Sequence, residues 1–332
     1  MTIRYDVVGI GNAIVDVLAH ADDQFLTDNG LHKGTMTLID ADTAENLYAK
    51  MAPAVECSGG SVANTIAGLA SLGGAGAFIG KVSDDQLGTI FRHDIRALGI
   101  DFPTSPAGNG PSTARCLVLV TPDAQRTLQT YLGACVELGP DDIDADTVAA
   151  AKFTYLEGYL WDPPAAQQAF IKAADIAHDA GQRVALSLSD PFCVERHRNA
   201  FRDLVNDHID VLFANEQEIM SLYQTSAFDE ALQVVRGHCG IVALTRSERG
   251  AVIVSGDEMH VLDAEPVEAV VDTTGAGDAY AAGFLFALTR GMSLFAAGRI
   301  GAIAAGEVIS HFGARPEISL RELIKGFESK MC

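Results

Sequence analysis

Short apolar runs recur along this chain, each stopped by Gly, Asp or Asn, and they alternate with stretches whose apolar residues return every three or four positions. The runs predict strands at 5–10, 77–80, 153–156, 183–188, 211–214, 241–245 and 251–254. Helical spacing is predicted at 61–72, 86–98, 165–180, 193–205, 216–223, 229–237, 276–289, 293–310 and 319–327. The strands are apolar almost throughout rather than alternating inside and outside. That pattern points to an α/β fold, a mainly parallel sheet covered by helices on both faces.

Two regions, about 12–40 and 102–132, break the alternation with shorter β-like stretches and turn chemistry. In the second, residues 116–120, the turn Thr121-Pro122-Asp123-Ala124 and residues 125–131 predict a hairpin. Together the two regions predict one small β-sheet projecting from a single domain of 1–332, able to lie over a site as a lid. An ordinary extra hairpin is the plainer alternative. Repeats, low-complexity tracts and long linkers are absent from the sequence.

With 332 residues, 48% of them hydrophobic and 20% charged, the chain has ample material for one large core. Its formal net charge of −21 disfavours nucleic acid and anionic membrane surfaces as partners. A nucleotide is still compatible, because its phosphates can be met by locally focused positive charge or by Mg²⁺. Six cysteines, at 57, 116, 135, 193, 239 and 332, form no Cys-x-x-Cys pair and no zinc-ligand array. They read as buried thiols in a reducing compartment. The N-terminus carries Asp6 and Asp16 and lacks the layout of a secretory signal. No stretch approaches the roughly 18 uncharged apolar residues that span a bilayer. The expected location is the cytoplasm.

The segment with most chemistry is Val271-Asp272-Thr273-Thr274-Gly275-Ala276-Gly277-Asp278, which opens a long apolar helix. Free N–H groups and the dipole at a helix start form an anion site. Gly275, Ala276 and Gly277 let that backbone approach a phosphate closely. Asp278, in the first turn, repels an anion and so is poorly placed for phosphate binding alone. It suits a base taking a proton from an attacking hydroxyl, and equally an Asp that simply favours a helix N-terminus. Two look-alike motifs fall away. Residues 76–82 imitate a Walker A loop but are one residue short, with no Ser or Thr after Lys81. Gly9-Ile10-Gly11 starts like a dinucleotide fingerprint but has Ile14 at its third glycine position.

Residues 272–284, DTTGAGDAYAAGF, resemble the C-terminal signature of the PfkB, or ribokinase-like, family of carbohydrate and nucleoside kinases. Ser58-Gly59-Gly60-Ser61-Val62-Ala63-Asn64-Thr65 resembles its N-terminal signature, followed by Gly80-Lys81-Val82-Ser83-Asp84-Asp85 and Gly88. Gly11-Asn12 with Asp16, Asn215-Glu216-Gln217-Glu218, and Thr245 to Gly250 also match, in family order over nearly the whole chain. The resemblance implies a ribokinase-like three-layer α/β/α domain with a central mainly parallel sheet and a small β-sheet lid. It implies an ATP-dependent phosphotransferase with Asp278 as base and Gly275, Ala276 and Gly277 as anion hole. Asn12, Asp16, Gly59, Gly60 and Asn64 match positions that hold substrate hydroxyls. Asn215 and Glu218 match a pair that organises Mg²⁺ and phosphates, Glu218 indirectly. Asp272 and Thr274, near the Gly313-Ala314 turn, match a monovalent-cation (K⁺) site, while Thr245 and Gly250 match the strand and turn that line ATP.

The residue chemistry is consistent with these roles. A carboxylate at Asp16, past a buried strand and a Gly-Asn turn, can accept two protons from a vicinal diol. Asn215 and Glu218 share one helix face, a spacing that also suits simple capping. Ser247 departs from the family, standing where its Thr-x-Gly-x-x-Gly stretch has a first Gly, and Val62 replaces a commonly small residue. Gly59-Gly60-Ser61, and Arg126-Thr127 followed by residues 130–134, resemble the adenosine-kinase-like subgroup. Arg126 on the lid could swing onto the transferring phosphate; a solvated hairpin Arg is the alternative. The resulting expectation is γ-phosphoryl transfer to the 5′-hydroxyl of adenosine or a related nucleoside, with Leu18, Met36, Leu38 and Leu117 meeting the flat base. A kinase of ribose, fructose or a similar sugar is the alternative. A homodimer pairing through the lid stays open.

Overall fold

The computed structural model describes residues 2–123 and 125–331, so Ala124 of the predicted turn and Cys332 lie outside the described residues. In chain order the strands are β1 (Tyr5–Ile10), β2 (Ile14–His20), β3 (Met36–Leu38), β4 (Val55–Gly59), β5 (Gly76–Ile79), β6 (Ala114–Val120), β7 (Arg126–Tyr131), β8 (Ala151–Glu157), β9 (Arg183–Ser187), β10 (Val211–Asn215), β11 (Ile241–Thr245), β12 (Ala251–Ser255) and β13 (Glu258–Leu262). Eight form the main sheet, ordered β13-β12-β11-β10-β9-β8-β1-β5. From β5 to β11 every pairing is parallel, and only the β11–β12 and β12–β13 pairings are antiparallel.

Each central strand splits its apolar residues between two cores, as the alternation of side chains across a strand requires. Val7, Phe78, Phe153, Tyr155, Val211 and Phe213 join the helices Ser61–Ser71, Ala276–Thr289 and Leu294–Val308 on one face. Val8, Ile10, Ile79, Leu156, Leu186 and Leu212 join the helices Pro164–Asp179, Pro191–His208 and Phe228–Val235 on the other. This is the expected three-layer α/β/α domain. β13 was not predicted from the pattern. It is an edge strand whose Met259 and Val261 are exposed, so no continuous apolar run marks it. The helix Pro191–His208 is longer than expected, capped by Asp190 and kinked at His197.

The second sheet has five strands in the order β3-β7-β6-β2-β4. β4 lies outside the two predicted stretches and runs into the 58–65 signature itself. The region expected to be β-like also holds the helix Asp23–Asp28, and Ala41–Tyr48 follows directly after it. Their N-caps Asp22 and Asp40 accept from Phe25 N and Thr43 N at 2.7 and 2.8 Å. These helices cover one face of the small sheet, where Val15, Val17, Leu117 and Leu119 pack with Leu26 and Leu47. Leu117, expected to meet a substrate base, is therefore buried on the far side.

The other face follows from the register. Asp16 is level with Cys57 on one neighbour and Cys116 on the other; Cys116 is level with Thr130, and Thr130 with Leu38. Two residues along, Val55, Leu18, Val118, Leu128 and Met36 form a row of apolar side chains across all five strands. Of these, Val55, Met36 and Leu38 are exposed. Among the described residues no helix is long and apolar enough to cross a membrane, and the five described cysteines are free thiols.

Candidate active site

The C-terminal ends of parallel strands gather ligand-binding groups because helix N-termini and loops converge there. Here β1 leads into Asn12, β8 ends on Glu157, β10 on Asn215 and β11 on Thr245. The helices Ser61–Ser71 and Ala276–Thr289 start at the same edge. Asn12 is buried and donates through Nδ2 to Glu157 Oε1 at 2.7 Å, while Glu157 Oε2 accepts Val62 N at 2.9 Å. Burial pushes the Glu157 carboxyl up to about 7; the two donors oppose this and the charge of Asp278 adds to it. Glu157 thus ties the Gly11-Asn12 turn to the helix that carries the first signature.

That helix starts from a strained point. Gly60 has φ +100, and a Cβ there would lie 2.2 Å from the Asn12 carbonyl oxygen, so only glycine fits. Gly59 ends β4 opposite Ile14, beside the Asp16 carboxylate. Ser61 Oγ donates to Asp278 Oδ1 at 2.6 Å. Asn64 is buried, and its side chain lies near enough to Asp278 to help hold that carboxyl down. Burial pushes Asp278 up to about 7 against these two side chains, with the negative charge of Asp16 assisting. Asp16 itself is pushed up to about 6 by burial, and the Arg315 and Arg126 guanidinium groups pull it back. Asp278, Asn64 and Asp16 are therefore electrostatic neighbours in one cleft between the main domain and the small sheet.

The candidate anion hole lies at the start of the second helix. Gly275 caps it in the left-handed region, φ +78, where an added Cβ would meet the Ala314 backbone at 2.7 Å. Among the described residues the N–H groups of Gly277 and Asp278 have no backbone partner, as expected in a first helical turn. Ala276 N donates back to Thr273 O at 3.2 Å. Asp272 and Thr274 stand behind this turn. Asp272 Oδ1 accepts Thr274 N and Oγ1 at 3.0 and 2.8 Å, and Oδ2 accepts Gly313 N at 3.1 Å. Oδ2 also faces the Arg126 guanidinium at 2.6 Å, with both side chains under a tenth exposed. Arg126 further lies 5.5 Å from the Phe312 ring. Strand β7 of the small sheet is thus tied to the main domain, and Arg126 is neither solvated nor free.

Asn215 and Glu218 make a reciprocal capping box. Asn215 N and Nδ2 donate to Glu218 at 2.8 and 2.6 Å, and Glu218 N donates to Asn215 Oδ1 at 2.9 Å. Burial pushes Glu218 up to about 7, opposed by the Asn215 backbone bond and reinforced by Asp190 and Asp278. Asn215 is level with Thr245 on the next strand. Beyond Thr245 the turn closes through Arg246 N to Gly250 O at 2.7 Å and Gly250 N to Ser247 O at 3.0 Å. Ser247 has φ +52, the conformation the missing glycine would adopt freely. Left-handed backbone costs an L-residue about 1–2 kcal/mol, against about 0.5–1 kcal/mol for glycine's extra entropy. Ser247→Gly should therefore raise Tm by about 1–3 °C in a melting curve, allowing for the size of the domain. A lower Tm would show that the Ser247 side chain makes a contact worth more than the strain.

Three residues of this cleft escaped the reading of motifs as site residues. Ser61 lies inside the signature and caps nothing in sequence terms, yet bonds Asp278. Glu157 is an acid directly after a buried strand, the same signal that singled out Asp16. Arg315 follows the Gly313-Ala314 turn and reaches Asn64 Oδ1, Ser58 Oγ and Asp94 Oδ2 at 3.1, 2.7 and 3.5 Å.

Residues 35–320 match the family of pfkB carbohydrate kinases. Among solved structures, a probable sugar kinase from Rhizobium etli is 53% identical, with a TM-score of 0.92, covering 99% of this chain and 99% of that one. An adenosine kinase from Sinorhizobium meliloti is 54% identical, with a TM-score of 0.90, covering 97% of this chain and 99% of that one. The adenosine kinase of Saccharomyces cerevisiae is 27% identical over 87% of this chain and 90% of its own length.

Proposed function

The chain belongs to the pfkB family of carbohydrate kinases, and on that premise we propose that it transfers the γ-phosphoryl group of ATP to the 5′-hydroxyl of adenosine or a closely related nucleoside. The observation carrying the choice of acceptor is the apolar row Val55, Leu18, Val118, Leu128 and Met36, which lies on the Asp16 face of the small sheet. A free sugar would need hydrogen-bonding groups there, whereas a flat base needs apolar surface. The likeness to the Sinorhizobium meliloti adenosine kinase supports the same choice. A sugar acceptor is the second reading, favoured by the equally similar Rhizobium etli protein. In an ADP-release assay, adenosine should be used with kcat/KM at least about tenfold above ribose or fructose, the worth of ~1–3 kcal/mol of apolar contact. Comparable turnover of a free sugar would select the second reading.

In this mechanism Asp16 and Asn64 hold the ribose hydroxyls and the Gly59-Gly60 backbone lies against them. Asp278 accepts the proton of the attacking 5′-hydroxyl, while the N–H groups of the Gly275-Ala276-Gly277 turn hold the phosphoryl oxygens, that of Gly277 being free of a backbone partner and that of Ala276 being shared with Thr273 O. Thr245 and Gly250 line the nucleotide, and Gly313 braces the loop behind the anion hole through Asp272.

Mg²⁺ supplies neutralisation of the β- and γ-phosphate charge. Burial is the main cause of the upward shift of Glu218, and the charges of Asp190 and Asp278 add to it, so a divalent cation would be drawn to this cleft, although among the described residues no three such groups stand close enough to hold an ion directly. Asn215 engages both Glu218 oxygens, so Glu218 would hold the ion through water. Enzyme assayed in excess EDTA should release no ADP and should recover on Mg²⁺ addition; full activity in EDTA would rule the ion out. A K⁺ ion beside Asp272 and Thr274 would need backbone carbonyls, because the Asp272 oxygens are already engaged. Equal rates in K⁺, Na⁺ and choline salts would remove it. The net charge of −21 and the free thiols support an enzyme of the cytoplasm.

A further inference from the structure

Arg315 is the arginine of the acceptor cleft that the family motifs leave without a role. Its Nε donates to Asn64 Oδ1 at 3.1 Å and its Nη1 to Ser58 Oγ at 2.7 Å, with Asp94 Oδ2 3.5 Å away. Asp94 is itself fixed by Ser58 N and Oγ at 2.7 and 2.6 Å. A guanidinium only donates, so Asn64 must turn its oxygen to Arg315, which leaves its NH₂ to help hold the Asp278 carboxyl down. The third nitrogen, Nη2, is buried and has no hydrogen-bond partner. An unmet donor on a buried charged group is costly, so its persistence points to a partner that arrives with the substrate.

The surroundings identify that partner. Asp16 lies close enough to feel the Arg315 charge, and Asp94 and Cys57 lie on its other sides. Two carboxylates already balance the cation, so an anion gains little there. A hydroxyl suits both neighbours, donating its proton to Asp16 while its oxygen accepts from the guanidinium. We propose that Arg315 is an acceptor-binding residue whose Nη2 donates to one of the two ribose hydroxyls that Asp16 accepts from. This rests on the nucleoside reading above for the identity of the acceptor.

The test crosses enzyme variants with acceptors: wild type and Arg315→Met, each with adenosine, 2′-deoxyadenosine and 3′-deoxyadenosine under saturating MgATP. Arg315→Met should raise the KM for adenosine by roughly 10–100-fold, the usual worth of a charged hydrogen bond, and leave the KM for ATP within about twofold. On the deoxynucleoside that lacks the contacted hydroxyl, the two enzymes should differ by less than about threefold, because the interaction is absent from both. A residue that only braced Asn64 would lower kcat by the same factor on all three acceptors. That outcome, or an unchanged KM for adenosine, overturns the proposal. If Arg315→Met does not fold, Arg315→Lys keeps the charge and stem but loses the fork, and must show the same dependence on acceptor. If wild type does not use adenosine, the nucleoside reading fails separately, and the cycle is run on the sugar it does use and the deoxy forms of that sugar.

Discussion

Asp278→Asn is expected to lower kcat by roughly 10²–10⁴-fold, the contribution of a positioned general base. The 5′-hydroxyl is a poor nucleophile and its proton must leave as the bond to phosphorus forms. Asp278 accepts Ser61 Oγ at 2.6 Å, which holds its carboxylate beside the proposed anion hole, and the nearby Asn64 side chain favours its charged form. Asn keeps the shape and much of the hydrogen bonding but cannot take the proton. Nucleotide affinity should hold or improve, since a negative charge beside the phosphates has gone. Steady-state kinetics with ATP titration check both points. A variant keeping more than about a tenth of wild-type kcat would make Asp278 structural.

The pH dependence gives a second readout of the same group. Asp278 sits at about 7 and Asp16 at about 6, both raised chiefly by burial. If Asp278 takes the proton and Asp16 accepts from the substrate, both must be ionised, so the acid limb of kcat/KM should fall between pH 7 and 6 rather than near the usual carboxylate range. A limb near 4 would mean that neither acts in the free enzyme. The sign for stability is opposite. A carboxyl raised above its unfolded value stabilises the protein most when protonated, and that contribution is lost as pH rises through the raised value. With Glu157 and Glu218 also at about 7, Tm should increase as pH is lowered from 8 towards 6. For the same reason Asp278→Asn should melt no lower than wild type at pH 8.

The parallel core was legible because β1, β8 and β10 are buried on both faces and so read as near-continuous apolar runs, interrupted within β1 by Asp6 and within β8 by Lys152 and Thr154. The same logic fails at an edge. β13 alternates Met259 and Val261 with polar residues, and β4 hides inside a glycine-rich signature. Motifs could single out Asp278, the Gly275-Ala276-Gly277 turn and the Asn215–Glu218 pair as candidates because those groups are contiguous in sequence. They could not locate Arg315, whose partners Asn64 and Ser58 are 251 and 257 residues away. Nor could they tell which face Leu117 takes, because a strand in a two-faced apolar sheet carries no signal of which side is covered. Only the helices at 23–28 and 41–48, signalled by Asp22 and Asp40 as caps, decide that.

Replacing Arg126 should have the next largest effect. Its guanidinium pairs with Asp272 Oδ2 at 2.6 Å in a buried contact and lies over Phe312, so it both fastens the lid and points positive charge at the cleft. Asp16 feels that charge. Arg126→Met removes a cation from the site where phosphoryl charge moves, a loss worth roughly 10²–10³-fold in kcat for one transition-state donor. It also leaves Asp272 without its cation. Breaking a buried pair costs about 3–5 kcal/mol, but Asp272 keeps its bonds from Thr274 and Gly313, so the fall in stability should lie below that range. Arg126→Lys should recover only part of kcat, since a point charge cannot serve Asp272 and a phosphoryl oxygen in one plane. Asp272→Asn separates the two functions: it loosens the latch while leaving Arg126 in place. If Arg126 acts on the phosphoryl group, Asp272→Asn loses far less kcat than Arg126→Met at saturating substrates. Equal losses from the two variants would assign Arg126 to lid closure alone.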